Sequence, residues 1–165
     1  NGAPITIVTG LDHLEGQTVQ ILADGGVVPP AVVGAVTGGI GFVLATAASK
    51  IHAGLAYNSN METFRIDTPD REGSAQDKAG RSVQTFLRLY RTCEGKIGQD
   101  ADSLSEMDFR STTDLMTTPV PLFTGDYEVR IDSQFDLGRV LYVRQDLPLP
   151  MNILAVIQSV WSGDR

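Results

Sequence analysis

Apolar and polar residues alternate over short runs along most of the chain, with the two-residue period that places every second side chain on one face of a β-strand. The clearest case is Gly10–Gly25. Its first half, Gly10-Leu11-Asp12-His13-Leu14-Glu15-Gly16, is a glycine-bounded polar corner. Its second half places Val19, Ile21 and Ala23 on one face before breaking at Asp24-Gly25-Gly26. Glycine tolerates positive φ and Asp bonds its own backbone, so turn chemistry rather than helix caps defines both ends. A strand is therefore predicted, with Ile21 in a core and Gln20 facing outwards.

The same reading extends along the first third of the chain. Ile5–Val8 is a β-branched run expected to pair with Thr18–Ala23 across the corner. In Val27-Val28-Pro29-Pro30-Ala31-Val32-Val33 the prolines lack amide donors, which demotes the run to an edge or bulged strand. Gly39–Leu44 and Ile51–Tyr57 follow, and Thr63-Phe64-Arg65-Ile66 is expected to close the block. Strands at this spacing predict a small barrel or sandwich over residues 1–66.

Asp67–Arg81 has only alanine among its apolar residues and is expected to be a polar loop or linker over residues 67–81. The rest, residues 82–165, is expected to form a second, antiparallel β-block resembling a sandwich. Arg81–Thr92 fits both periods: Val83, Phe86, Leu87 and Tyr90 make a helical face, whereas Val83, Thr85, Leu87 and Leu89 make one face of a strand. Its aromatic and β-branched content and the Glu94-Gly95 turn favour the strand. Gln99–Pro119 is polar, anchored by Met107, Phe109, Leu115 and Met116, and reads as an ordered surface excursion. Tyr127–Ile131 and Arg139–Val143 flank Gln134-Phe135-Asp136-Leu137-Gly138 in the manner of a hairpin. Leu147-Pro148-Leu149-Pro150 is expected to be extended, and Met151–Trp161 to be a buried last strand. The fold class is thus all-β with at most one short helix.

Charge narrows the function. With 13 basic against 20 acidic residues the formal net charge is −7, which opposes nucleic-acid binding by counterion release. Gly25–Ser49, the longest weakly charged run, is broken by Pro29-Pro30 and four glycines and cannot be a membrane-spanning helix. The single Cys93 has no partner for an internal disulfide. The chain opens on Asn1 rather than Met and is expected to be a piece of a longer or processed protein.

No candidate chemistry completes itself. Thr37-Gly38-Gly39-Ile40-Gly41 resembles the glycine turn of short-chain dehydrogenases, but its glycines are compressed, no helical stripe follows, and a β-turn is the plainer reading. His13 and His52, with Asp12 or Glu15, would make a zinc site if their strands met, yet two histidines in an all-β chain are more often turn or surface residues. Asp100-Ala101-Asp102 with Glu106 resembles the start of a calcium loop, without the central glycine and with Ser111 where the bidentate Glu belongs. Asp67, Asp70, Glu72 and Asp77 read as a solvated loop. No catalytic, cofactor or metal residue is therefore assigned.

Several phrases nevertheless occur in an order that resembles the C-terminal region of bacteriophage tail nozzle proteins, the tail-tubular or packaged-DNA-stabilisation group of short-tailed phages. They are Gly10–Gly16 with the strand after it, Ser49–Tyr57, Leu87–Tyr90, Phe109–Ser111, Pro121–Asp126 and Arg144–Pro150. The resemblance implies a non-enzymatic virion structural module without cofactors. Its implied place is the tail, after synthesis in the host cytoplasm. Its implied partners are other tail or head–tail proteins and a homo-oligomeric ring, with no direct DNA grip and no membrane. Proteins of that family are longer and carry a β-propeller, whereas no blade repeat is visible here. A carbohydrate- or receptor-binding β-module, with Tyr57, Tyr90, Tyr127, Tyr142 and Trp161 as platforms, is the alternative.

Overall fold

The computed structural model describes residues 2–65, 69–70, 73–74, 80–115, 118–129 and 140–162. Over them the chain is all-β, with a single 3-10 turn at Asp12–Leu14 as its helical part. Among the described residues no helix is long and apolar enough to cross a membrane.

Contacts divide the chain into two compact units. The first comprises residues up to Tyr57 together with Arg110–Pro121 and Asp146–Leu149. Its strands are β1 (Ile5–Thr9), β2 (Thr18–Ala23), β3 (Gly26–Val32), β4 (Gly34–Val36), β5 (Gly39–Ala48) and β6 (Ile51–Leu55). They form two antiparallel sheets, ordered β1-β5-β4 and β3-β2-β6. Both contribute to one core: Val19 and Ile21 from β2 meet Val33 and, from β5, Phe42, Leu44 and Ala48. The sheets face each other across this core and neither closes on itself, so the unit is a sandwich rather than a barrel.

Alternation along β2 has the predicted phase. Ile21 is 0% exposed, while Gln20 lies on the opposite face and donates from Nε2 to the Asp146 carbonyl oxygen at 3.0 Å. The proline-bearing β3 is an edge strand, and Pro29 and Pro30 fall in a bulge between the Ile21–Val28 and Val19–Ala31 pairs, where regular ladder bonding with β2 is already interrupted. Pairing partners differ from expectation at both ends of the block. β1 pairs with β5, not with β2. The polar corner carries the chain from one sheet to the other through its 3-10 turn, and Leu11 N–H bonds the Ile40 carbonyl at 3.2 Å, so β1 stays beside β5. Thr63–Arg65 closes nothing in this unit: Thr63 exchanges bonds with Leu141 of the second unit's sequence, and Phe64 is exposed.

The second unit comprises Asn58–Phe109, Leu122–Gln145 and residues from Pro150 onwards. Its strands are β7 (Ser59–Glu62), the two-residue pair β8 (Pro69–Asp70) and β9 (Gly73–Ser74), β10 (Gly80–Thr92), β11 (Lys96–Gly98), β12 (Leu104–Glu106), β13 (Phe123–Val129), β14 (Tyr142–Gln145) and β15 (Ile153–Ser162). One sheet is ordered β13-β10-β15 and another β12-β11-β14-β7. Leu87, Leu89 and Val129 from the first share a core with Ile97, Met107, Leu141 and Val143, so this unit too is a sandwich.

The ambiguous stretch is a strand, β10, with Thr85, Leu87 and Leu89 buried and Gln84, Arg88 and Tyr90 exposed. These units are not the contiguous blocks 1–66 and 82–165 read from the sequence. Ser59–Glu62 pairs with β14 in the second unit, and Arg110–Pro121 and Asp146–Leu149 return to the first. Two further expectations are corrected. The runs around Tyr127 and Val143 are not partners in a hairpin, because β13 pairs with β10 while β14 lies between β11 and β7. β15 is an edge strand with alternating burial rather than a buried one, because β10 takes the centre of its sheet. Of the anchors in the polar excursion, Met107 is buried and Phe109 half-buried, but Leu115 is exposed. Leu147–Leu149 is bent rather than extended, closed by a Leu149 N–H to Leu147 carbonyl bond of 2.8 Å. Most of the expected linker 67–81, the tip at 134–138 and Met116 lie outside the described residues.

Candidate functional site

The glycine run is a hairpin. Val36 pairs with Gly39 across the two-residue loop Thr37-Gly38, and Gly38 and Gly39 adopt φ of 96° and 145°, conformations that glycine takes without steric cost. Gly41, further along β5, has a separate reason: a Cβ there would overlap the Val8 carbonyl oxygen of β1. A tight turn and a close strand approach account for these glycines, and no helix N-terminus follows them to receive a phosphate.

Two carboxylates of the calcium-like run, Asp100 and Asp102, lie in the link between β11 and β12, and the third, Glu106, ends β12. Asp100 Oδ1 accepts the backbone N–H groups of Asp102 and Ser103 at 2.9 and 2.7 Å, folding the link between β11 and β12. Glu106 lies 3.7 Å from Lys96, and Ser111 sits in another such turn, its N–H bonded to Asp114 Oδ2 at 2.7 Å. His13 lies in the 3-10 turn and His52 on β6 opposite Leu22. Among the described residues no three His, Cys, Asp or Glu side chains come together as a metal-holding group. Asp67, Glu72 and Asp77 lie outside the described residues, and only the backbone of Asp70 is placed.

The aromatic candidates divide by environment. Tyr127 packs with Phe109 and Phe123 at ring separations of 5.1 and 6.0 Å, and its hydroxyl accepts the Asp108 N–H. Tyr142 is half-buried, with the Arg144 guanidinium 5.6 Å from its ring centre. Trp161 lies in β15, and its side chain is outside what the structure describes. Tyr57 and Tyr90 are the exposed ones, at 76% and 49%.

Tyr57 borders a hollow of about 410 Å³ in the first unit. Its floor follows from register: Gln20 opposes Gly54 and Leu22 opposes His52, so all four share the outer face of the β2–β6 ladder. Gly54 leaves the floor open, since a Cβ there would meet nothing within 4 Å. The bent segment Leu147-Pro148 makes a wall, held beside β2 by the Gln20 to Asp146 bond. Alternation in the sequence gave the face of each floor residue, but the wall comes from a segment 126 positions away from Gln20, a proximity that local pattern does not encode.

Among the described residues the cations form no phosphate-tracking stripe, and the side chain of Arg81 lies outside them. Arg88 Nε and Nη2 donate to the two oxygens of Asp126 on the neighbouring strand at 2.7 and 2.8 Å. That hydrogen bond and the Asp126 charge raise the Arg88 pKa, and the same bond holds the Asp126 carboxyl below its ordinary value. Both groups are exposed, so the pair adds little stability. Arg91 sits at a kink of φ 48°, and Lys96 lies beside Glu106. We expect no measurable duplex binding at physiological salt. Fluorescence anisotropy on labelled duplex DNA checks this, and micromolar, steeply salt-dependent affinity would contradict it.

Cys93 is buried, and burial followed by the neighbouring Glu94 charge raises its thiol pKa. The folded state thus holds the proton more tightly than the unfolded one. This contribution to stability is present below the unfolded thiol pKa and is lost as pH rises through the folded one. Since the thiolate is the nucleophile, alkylation at mildly alkaline pH should be slow in native protein and fast in denaturant. Equal rates measured by mass spectrometry would contradict that expectation.

Over the described residues the chain is all-β, in two sandwich units, and the first carries an aromatic-bordered surface hollow. No protein-family model matches the chain, and no curated protein sequence matches it.

Proposed function

We propose that the chain is a non-enzymatic virion structural module, part of a short-tailed phage tail nozzle or head–tail assembly, which works by holding geometry around the DNA channel. The observation that supports this most is where the structure spends its apolar side chains. The inner faces of β10, β13 and β15 fill a core, while Tyr90, Leu154 and Ile157 are exposed in the same sheet. Apolar groups presented by paired strands form a contact surface for protein. The ordered phrases that resemble nozzle proteins support the same reading. Its partners are then neighbouring tail or head–tail proteins and further copies in a ring, and its location is the virion tail. A net charge of −7 suits a part that lets DNA pass without adhering.

The test is mass spectrometry of purified virions from the phage that encodes the chain, combined with antibody labelling of particles. Peptides of this chain in the particles and label at the tail are the expected result. Absence from purified particles would overturn the reading.

The Tyr57 hollow favours a second reading, a carbohydrate-binding module. An exposed tyrosine ring stacks against sugar C–H groups, and His52 and Gln20 add polar atoms to an otherwise apolar lining. Glycan-array binding that Tyr57→Ala abolishes, with unchanged thermal melting, would support it. A blank array would remove it.

A further inference from the structure

The two edges of the β13-β10-β15 sheet are built differently. β13 carries Asp126 and Glu128 on its exposed face, and Gly125 breaks its regularity at φ 147°. Charge and a kink are the devices by which natural proteins protect an edge from pairing with another chain. β15 has neither charge nor proline along Ile153-Leu154-Ala155-Val156-Ile157-Gln158-Ser159-Val160-Trp161-Ser162. Its register with β10 slips twice, at Leu154 and again between Ser159 and Val160, and is regular between the two, from Ala155 to Ser159. Among the described residues no strand pairs with its far edge. Leu154 is 63% exposed and Ile157 43%.

An open row of backbone N–H and C=O groups is satisfied by an extended strand, and side chains then decide which strand fits. A net charge of −7 makes the surface of one copy repel another at most places. β15 brings no charge to such a contact, and an antiparallel pair can be its own mirror about a two-fold axis.

We propose that two copies of this chain associate through β15, edge to edge and antiparallel, about a two-fold axis at Ile157, merging their β13-β10-β15 sheets. This axis centres the regular run. Ile157 then opposes its own copy, Ala155 opposes Ser159, and Val156 opposes Gln158. Face parity is kept at each pair, because opposed residues in an antiparallel ladder point to the same side. The half-exposed Ile157 side chains cover one another, and no acidic group meets another across the ladder. The inference stands on β15 alone and does not depend on where the chain resides.

The full chain is tested by light scattering after gel filtration at rising concentration, together with single-cysteine variants under a mild oxidant. Ile157→Cys places two thiols on strands whose opposed Cα atoms lie about 4.5–5.5 Å apart. Ser159→Cys leaves its two copies about 13 Å apart along the strands. The expected result is a mass rising towards twice the chain, rapid covalent dimer from Ile157→Cys, none from Ser159→Cys, and a single-copy mass for Ile157→Lys. The unaltered chain, whose Cys93 is buried, is the control for adventitious cross-linking. If Ile157→Lys does not fold, the cysteine pair still decides. A single-copy mass at all concentrations overturns the proposal, as does a dimer that cross-links through Ser159→Cys or survives in folded Ile157→Lys.

Discussion

Ile21→Asp should unfold the first sandwich. Ile21 is wholly enclosed, on a strand that pairs with β3 on one side and β6 on the other, and its side chain meets residues of the opposing sheet. A carboxylate there has neither water nor a cation, so the cost is roughly 3 kcal/mol or more, a large share of the stability of an ordinary domain. Circular dichroism and thermal melting should show the first unit lost. Thr18→Asp, on the exposed start of the same strand, should stay within about 0.5 kcal/mol of the parent. Normal melting of Ile21→Asp would contradict the placement of β2 between the two sheets' core and its partners.

Gly41→Ala should detach β1 from β5. The obstacle at this site is the Val8 carbonyl, a backbone group that cannot turn aside as a flexible side chain could. Either β1 shifts or β5 bends, with a cost of about 1–3 kcal/mol, as for other overpacked sites. Hydrogen exchange should report the loss at Ile5–Thr9, the residues that depend on that pairing. Gly54→Ala supplies the contrast. Its new methyl meets nothing and its backbone is not in the left-handed region, so melting should hardly change. Equal damage from both substitutions would mean that close strand approach is not what requires Gly41.

The candidate chemistry was partly legible before the fold was known. Compressed glycines argued for a turn, and the turn is a hairpin. The missing ligand positions after Asp100 argued against a calcium cage, and Asp100 instead caps a link between strands. The Tyr57 hollow was not legible. Tyr57 was one of five aromatic platforms in the sequence, and its border with Leu147-Pro148 required a loop from the far end of the chain. Tyr127 shows the reverse: an equivalent tyrosine in the sequence, it is taken into the core edge by Phe109 and Phe123.

What local sequence determined was the kind of element and the direction of each side chain. Period-two alternation made β2 a strand and assigned Ile21 to its buried face. By contrast, β10 fitted both periods and was tilted to strand by its aromatic and β-branched content and the Glu94-Gly95 turn, with Thr85, Leu87 and Leu89 on one face. Prolines sent β3 to an edge. What only the tertiary structure decided was which strand lies beside which. β1 chose β5 over β2, β7 joined β14, and β13 and β14 went to opposite sheets of one sandwich. The physical reason is that alternation specifies a face but every strand offers the same backbone donors and acceptors to any neighbour. Partner choice rests on long-range packing, such as the fit of Gly41 under Val8 and of Met107 and Met151 around Gly95, and those contacts exist only once both sheets have come together.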